Sequence, residues 1–317
     1  MKTVYCIGEL LIDFVAEKQG NDLSKATEFT KKPGGAPANV ACAISKLGGQ
    51  SAFIGAVGKD PFGVFLLEVL KNNKVDVSLA QRNNTFTTLA FVSLAEDGER
   101  DFVFSRGADK NLAYDSSAKQ LFKESLIHFG AATSLLGGDL EATYSKYFED
   151  ALAQNTFISF DPNFRIDLWK GDEATFIKKC IPFIERSHLC KFSLEEAQLL
   201  SGKTELEECC DFLHQLGTKI ITITLGSQGT LLSTSSFKQT IPSISVSPVD
   251  TTGAGDAFIG CLLQQIAKLD NPHEIIENTL AMIKMVENAN KAGALTTTGF
   301  GAIPSLPSAN QVFEFNV

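Results

Sequence analysis

Asp250-Thr-Thr-Gly-Ala-Gly-Asp256 places two carboxylates and two glycines in one short stretch, directly before the apolar run Ala257, Phe258, Ile259, Leu262, Leu263, Ile266, Ala267 and Leu269. That run has the length and composition of a buried helix. The glycines Gly253 and Gly255, on either side of Ala254, let the turn into the helix gather backbone N–H groups at its N-terminus. Such a point carries about half a positive charge and suits phosphate or a developing anion. Asp256 in the first turn could accept a proton from an attacking hydroxyl while the N–H groups hold the charge of a transferring group. The same residues would also serve as an Asp N-cap after a glycine-rich turn, and the stretch alone leaves both readings open.

Other polar residues fall where an α/β sheet meets its ligands, at the ends of strands. Val4 to Ile7 reads as a first buried strand ended by Gly8, and Glu9-Leu-Leu-Ile-Asp13 sets Asp13 just beyond it, as a ligand group or a solvated loop carboxylate. In Lys32-Pro-Gly-Gly-Ala-Pro-Ala-Asn39, Gly34 and Gly35 make a turn and Pro37 suits the first helical position. Asn39 then lies in the first turn of a small-residue helix, stopped by Gly48 and Gly49. Asp161-Pro-Asn-Phe-Arg165 ends another strand, and Pro162 excludes helix there. Ser193 followed by Glu196 is the pattern of a capping box.

The elements that must position these residues alternate strand and helix. Ala52–Val57, Leu126–Phe129, Thr156–Phe160, Ser187–Phe192 and Lys219–Leu225 read as strands; Pro61–Asn73, Leu140–Gln154 and a long helix ending near Leu295 read as helices. Gly226-Ser-Gln-Gly229 is a tight turn into a strand from Thr230 to Ser233. This alternation predicts one doubly wound, mostly parallel sheet flanked by helices. Leu89–Leu94 and Asp101–Phe104 around Glu96-Asp-Gly-Glu99 predict a hairpin that forms a small β lid. Arg106, just past it, is either carried over a ligand or a surface charge.

Composition narrows the function. With 317 residues, 44% hydrophobic and 21% charged, the chain is ordinary globular material, and its net charge of −9 argues against nucleic acid or an anionic membrane surface as partner. Charges interrupt every apolar stretch before the ~18 residues of a membrane span. Glu9 and Asp13 come too early for a signal peptide. Seven cysteines without a C-x-x-C pair, and four histidines without ligand spacing, predict reduced buried thiols and a cytoplasmic setting.

Taken together, the early glycine stretch Gly34–Gly49, the Thr224-Leu-Gly226 segment and the Asp250–Leu263 stretch resemble the ribokinase-like (PfkB) carbohydrate kinase family over nearly the whole chain. The resemblance implies a single kinase domain over residues 1–317, with lid strands inserted at about 14–32 and 87–106. It implies ATP and Mg²⁺ as cofactors and Asp256 as the base that deprotonates a sugar hydroxyl. Gly253, Ala254 and Gly255 would form the anion hole for the γ-phosphoryl group. Asp13, Gly34, Gly35 and Asn39 match the sugar positions, with Arg106, Asn163 and Arg165 on the substrate side. Glu196 matches the residue that organises Mg²⁺ through water. Lys191, Ser193, Thr224, Gly226 and Gly229 match the nucleotide side, and Asn290 a residue near adenine. Where the family often has Asn, this chain has Ser193, as fructokinase-like members do. Asp250, Thr252 and the loop from Thr296 to Ser305 match a K⁺ site, the oxygen-rich Thr296, Thr297 and Thr298 and the glycines Gly299 and Gly301 giving it donors and freedom. No Walker-type phosphate loop is present, as the family implies.

Gly34-Gly-Ala-Pro-Ala-Asn39 with Asp161-Pro-Asn-Phe-Arg165 and Leu168-Trp169 is similar to fructokinases, making D-fructose the expected acceptor. Kinases of 2-keto-3-deoxygluconate share the Asp-x-Asn-x-Arg and Leu-Trp elements but have an acidic residue where this chain has Ala36. Another sugar or nucleoside kinase, or a catalytically silent sugar sensor on the same fold, are the alternatives. Exposed lid edges invite pairing into a homodimer.

Overall fold

The computed structural model describes residues 1–18, 20, 22–94 and 100–313. The main sheet has eight strands: β1 (Thr3–Ile7), β4 (Gln50–Ile54), β9 (Leu126–Gly130), β10 (Phe157–Asp161), β11 (Leu189–Ser193), β12 (Ile220–Thr224), β13 (Thr230–Thr234) and β14 (Phe237–Ile241), in the spatial order β14-β13-β12-β11-β10-β9-β1-β4. Neighbours from β4 to β12 run parallel; β13 and β14 are a hairpin that continues the sheet antiparallel. A second sheet of four strands, β3-β2-β7-β8, is built from β2 (Leu11–Ala16), β3 (Phe29–Gly34), β7 (Leu89–Leu94) and β8 (Arg100–Ser105). Two short strands, β5 (Ala56–Gly58) and β6 (Gln81–Asn83), pair with each other.

The helices are α1 (Ala36–Lys46), α2 (Pro61–Asn72), α3 (Gly138–Ala153), α4 (Ile166–Trp169), α5 (Glu173–Arg186), α6 (Leu194–Ser201), α7 (Leu206–Leu216), α8 (Ala254–Ile266), α9 (Thr279–Thr296), α10 (Ala302–Ser305) and α11 (Ala309–Phe313). They cover both faces of the main sheet. One core joins Val4, Leu126, Phe157 and Leu189 to α1, α8 and α9. The other joins Ile7, Phe129, Phe160 and Phe192 to α3, α5, α6 and α7. Residues of opposite parity along each strand feed opposite cores, as the two-residue period of a strand requires. The expected doubly wound, mostly parallel sheet is what forms.

Small residues set the closest approaches. A Cβ on Gly260 of α8 would lie 2.6 Å from Ala43 Cβ, so α8 and α1 pack nearly backbone to backbone. Gly8 and Gly130, at the ends of β1 and β9, both lie under the ring of Pro37. That contact seats the N-terminus of α1 on the carboxyl ends of those strands. Among the described residues, no helix is long and apolar enough to cross a membrane.

Several sequence expectations shift. The single strand expected over Ala52–Val57 is two strands, because Gly55 breaks the run where a Cβ would strike the Phe53 ring and Gly8 O. Pro37 takes the second helical position, behind Ala36. Asp13 is not in a loop past β1: Leu11–Ala16 is itself a strand of the small sheet. Where lid strands are expected at about 14–32, β2 and β3 lie at Leu11–Ala16 and Phe29–Gly34, and the hairpin strands pair antiparallel as expected. The turn expected at Glu96–Glu99 lies outside the described residues.

Candidate active site

Gly253 caps α8 in the left-handed conformation, with φ of 80°. A Cβ there would lie 2.4 Å from Ala302 Cβ, so glycine is needed both for the turn and for the approach of α10. The first N–H groups of α8 have no acceptor within the helix. Of these, Ala254 N–H is turned towards Thr251 O at 3.3 Å, which leaves Gly255 and Asp256 as the better placed anion donors.

Asp256 is 8% exposed and its Oδ2 accepts a 2.8 Å hydrogen bond from Asn39 Nδ2. Asn39 itself is buried, and its Oδ1 has no protein hydrogen-bond partner among the described residues. Only this orientation of the amide places a donor on the carboxylate. Burial pushes the Asp256 carboxyl above its usual range, against the opposing pull of Asn39, Lys191 and Arg165. A base whose pKa moves up towards neutrality is better matched to taking a proton from an alcohol.

Lys191, near the end of β11, supplies the buried positive charge. Its Nζ lies 3.0 Å from Asp161 Oδ2 and 3.0 Å from where a Cβ on Gly255 would stand. Burial alone would lower its pKa, but Asp161, Glu196 and Asp256 together raise it, so it stays an ammonium. Glu196 is buried, and burial raises its pKa despite Lys191. Its Oε1 accepts from Phe164 N at 2.7 Å and its Oε2 from Ser193 N at 2.8 Å, while Ser193 Oγ accepts from Glu196 N at 3.1 Å. The capping box is therefore present, and Ser193 Oγ is spent on it. With both oxygens on backbone amides, Glu196 suits a metal held through water, and its charge beside Asp161 and Asp256 fits a divalent cation brought in with a nucleotide.

The segment after β10 is built around Asn163, in the left-handed region at φ 49°. Its backbone N–H meets Asp161 Oδ1 at 3.3 Å and its Nδ2 meets Asp161 O at 3.1 Å, so the amide nitrogen of the side chain closes the turn. Arg165 is exposed, bonded through Nη1 to Phe164 O, and its charge reaches Asp161, Glu196 and Asp256.

Thr224, Gly226 and Gly229 form the loop at the end of β12. Thr224 Oγ1 donates to Phe192 O, and Gly229, at φ 101°, passes so close to Ile241 that a Cβ would lie 2.1 Å from its carbonyl oxygen. Asn290 accepts from Thr230 Oγ1 at 2.6 Å and donates to Ile241 O and Pro242 O. Its amide therefore pins α9 to the hairpin β13–β14, which leaves little of it to read an adenine.

Between the small sheet and the chain before α8 with the loop after α9 lies a cleft of about 620 Å³, lined by Asp13, Lys31, Lys32 and Ser93 on one side and Asp250, Thr252 and Phe300 on the other. The Asp13 carboxylate rests over Gly34, where a Cβ would lie 2.1 Å from Oδ2, and Gly35 passes as tightly over Glu9 O. Asp250 Oδ1 accepts from Thr252 N and Oγ1, and Oδ2 from Gly301 N at 2.8 Å. Partial burial would raise its pKa, but these bonds and Lys32 hold it below the usual carboxylate range. Ser305 Oγ stands 2.6 Å from where a Cβ on Gly299 would be, bringing Ser305 into the same loop. The threonines differ from expectation: Thr296, Thr297 and Thr298 hydroxyls bond back to carbonyls of α9, capping its end. Among the described residues, no three His, Cys, Asp or Glu side chains form a metal cluster. Asp250 and Thr252 present oxygens to the cleft and Ser305 lies in the loop after α9, so the candidate donors are mostly neutral, as a weakly held monovalent ion would want.

Arg106 is not in this cleft. Its guanidinium bonds Asp109 Oδ2, Leu136 O and Thr133 O, all within the framework below the small sheet. The sequence reading also passes over Glu9, a carboxylate only 1% exposed whose Oε1 accepts from Ala36 N at 3.0 Å. An acid directly after a strand-ending glycine was the available signal.

A doubly wound sheet with a buried carboxylate and ammonium at a glycine-capped helix N-terminus, under a second small sheet, defines a ribokinase-like phosphotransferase. The chain belongs to the pfkB family of carbohydrate kinases, whose model matches residues 1–309. It is 38% identical over 317 residues to fructokinase-1 of Zea mays, the match covering 98% of this chain and 96% of that one. The structure of a fructokinase with bound ATP from Xylella fastidiosa superposes with a TM-score of 0.85 at 29% identity, covering 98% of this chain and 97% of that one. A double-mutant fructokinase from Vibrio cholerae, in a form with fructose, ADP and potassium ion bound, gives 0.82 at 30% identity, covering 99% and 98%.

Proposed function

We propose that this protein is an ATP-dependent fructokinase, a single kinase domain spanning residues 1–317 in which the small sheet is the lid. The observation that carries the reading is the buried Asn39–Asp256 bond at the N-terminus of α8: it unites the helix that follows the double glycine with the helix that offers the anion hole. The sugar hydroxyl is held between Asp256 and Asn39, whose Oδ1 is left to accept from a second hydroxyl. Asp256 removes the proton as the oxygen bonds to the γ-phosphorus, the bond to ADP breaks, and the proton later leaves to solvent. The first-turn N–H groups of α8, Lys191 and Arg165 hold the charge that spreads over the phosphoryl oxygens.

Mg²⁺, bound with the nucleotide, would neutralise its phosphates, and Glu196 would hold the ion through water. K⁺ beside Asp250, Thr252 and Ser305 would set the loop that shapes the anion hole. Seven free, buried cysteines favour a reducing, cytoplasmic setting, and the edges of the lid sheet favour a homodimer.

The test is ADP release measured against D-fructose, other ketoses, pentoses, nucleosides and 2-keto-3-deoxygluconate. Sugar-dependent turnover with the highest kcat/KM for fructose is expected. Binding of sugar without turnover would make the protein a sensor instead.

A further inference from the structure

The small sheet joins the body through four chain crossings: Gly8–Leu10 before β2, Gly35 after β3, Thr87–Thr88 before β7, and Arg106–Gly107 after β8. One buried polar network touches three of these and, at the second, Ala36 next to Gly35. Glu9 Oε1 accepts from Ala36 N at 3.0 Å and Oε2 from Thr133 N at 3.4 Å. Thr133 Oγ1 donates to Asp109 Oδ2 at 2.9 Å, where Arg106 Nε also binds. Asp109 Oδ1 accepts from Thr88 Oγ1, which in turn accepts from Gly107 N at 2.9 Å. Glu9 and Asp109 are each 1% exposed. None of these groups faces the reacting atoms, yet Ala36 is the first residue of the helix that carries Asn39.

We propose that Glu9 is a positioning residue for the sugar side of the reaction. Through the Ala36 amide it fixes the entry of α1, and so the Asn39–Asp256 pair. Through Thr133, Asp109 and Thr88 it ties that entry to the crossings that carry the small sheet. The inference rests on the sugar-kinase reading above.

Burial pushes the Glu9 carboxyl up to about 7, opposed by the amides of Glu9, Ala36 and Thr133 and reinforced by Asp109. The other groups within reach are Tyr144 of α3, whose hydroxyl is held neutral by burial and by Glu9, and Arg106, paired to Asp109. Above this value both Glu9 oxygens accept. Below it one oxygen carries a proton and meets an amide N–H donor to donor, so one contact is lost.

The experiment compares wild type, Glu9→Gln, Thr88→Val and Thr88→Ser, reading KM for fructose, KM for ATP and kcat from pH 5.5 to 9, with urea midpoints. In wild type, KM for fructose is expected to rise as pH falls below 7. At pH 8, Glu9→Gln raises KM for fructose about tenfold with KM for ATP within twofold, and it flattens the pH dependence of the fructose KM. Thr88→Val gives the same split more weakly, and Thr88→Ser restores it. An unchanged fructose KM in Glu9→Gln, or both KM values worsening in step with a lowered urea midpoint, would overturn the proposal. If Glu9→Gln does not fold, the Thr88 pair decides it by the same split. If wild type phosphorylates no sugar at all, the kinase reading itself fails and the positioning role falls with it, an outcome distinct from an unchanged fructose KM in an active enzyme.

Discussion

At the scale of single residues, Asp256 has a cost and a use in the same place. Its carboxyl is buried and its pKa raised, chiefly by desolvation. Because the folded value lies above the unfolded one, the native state holds the proton more tightly than the unfolded chain does. Its contribution to stability is therefore full below pH 3.8 and is lost as pH rises through the folded value. Asp256→Asn removes that loss while keeping the shape. We predict that kcat falls by about 10³-fold or more, within or beyond the usual range for general-base assistance. In urea unfolding at pH 8, stability should be equal to or above wild type. A variant keeping a tenth of wild-type kcat removes Asp256 from the role. The same shift predicts an acid limb in kcat placed above the ordinary carboxylate range. Its absence from the Asn variant's residual rate is the check, and it is separable from Glu9, whose limb belongs to KM for the sugar.

At the scale of elements, the helix termini carry the site, and two of them make predictions. Ser193 caps α6 and so orders Glu196. Ser193→Ala should lower unfolding stability by about 0.5–2 kcal/mol, as loss of an N-cap does. It should also raise KM for MgATP more than KM for fructose; equal effects on both would show the cap to be purely structural. Gly253→Ala meets two obstacles, a left-handed φ and Ala302 Cβ at 2.4 Å. It should cut kcat sharply, by displacing the N-terminus of α8 from α10, and a variant with wild-type kcat would refute that placement. These termini were legible in the sequence because each has local chemistry: Gly253 and Gly255 before an apolar run, Ser193 three residues before Glu196, Gly34 and Gly35 before Pro37. What was not legible depends on long-range pairing. Leu11–Ala16 is not marked as a strand by its own residues; the resemblance sets lid strands at about 14–32, and only the pairing with β7 and β3 shows that the first begins at Leu11. Phe237–Ile241 is a polar edge strand with little apolar signal and went unread. The three threonines after Leu295 look like ion donors, and only the course of α9 shows that they cap it. The resemblance sets Asn163 on the substrate side and Asn290 near adenine, and position alone leaves Arg106 either over a ligand or a surface charge; in the fold the donors of all three go largely to the backbone around them.

At the scale of the whole molecule, the cleft belongs to neither sheet alone. Its upper wall is the small sheet and its lower wall the chain entering α8, so substrate preference depends on how their charges balance. Asp13 and Lys32 are cross-strand partners in β2 and β3 and both line the cleft. Lys32 also lies 5.8 Å from the Phe300 ring and acts on Asp250 across the gap. The cleft lining thus holds two ammoniums, Lys31 and Lys32, against two carboxylates, Asp13 and Asp250, with Lys31 Nζ drawn to the Phe65 ring, which leaves no surplus positive charge for a carboxylate substrate. A neutral ketose fits that balance, offering hydroxyls to Asp13 and Asn39, and a site built to bind hydroxyls discriminates by up to about 10⁴-fold or more. Asp13→Ala should therefore raise KM for fructose at least about tenfold, the loss of one charged hydrogen bond to substrate, while sparing KM for ATP. It should also improve the relative kcat/KM for 2-keto-3-deoxygluconate, because the cleft then keeps two lysines against Asp250 alone. If wild type already turns over the keto acid with higher kcat/KM than fructose, the balance argument fails, and Arg165 becomes the residue that pairs the substrate carboxylate.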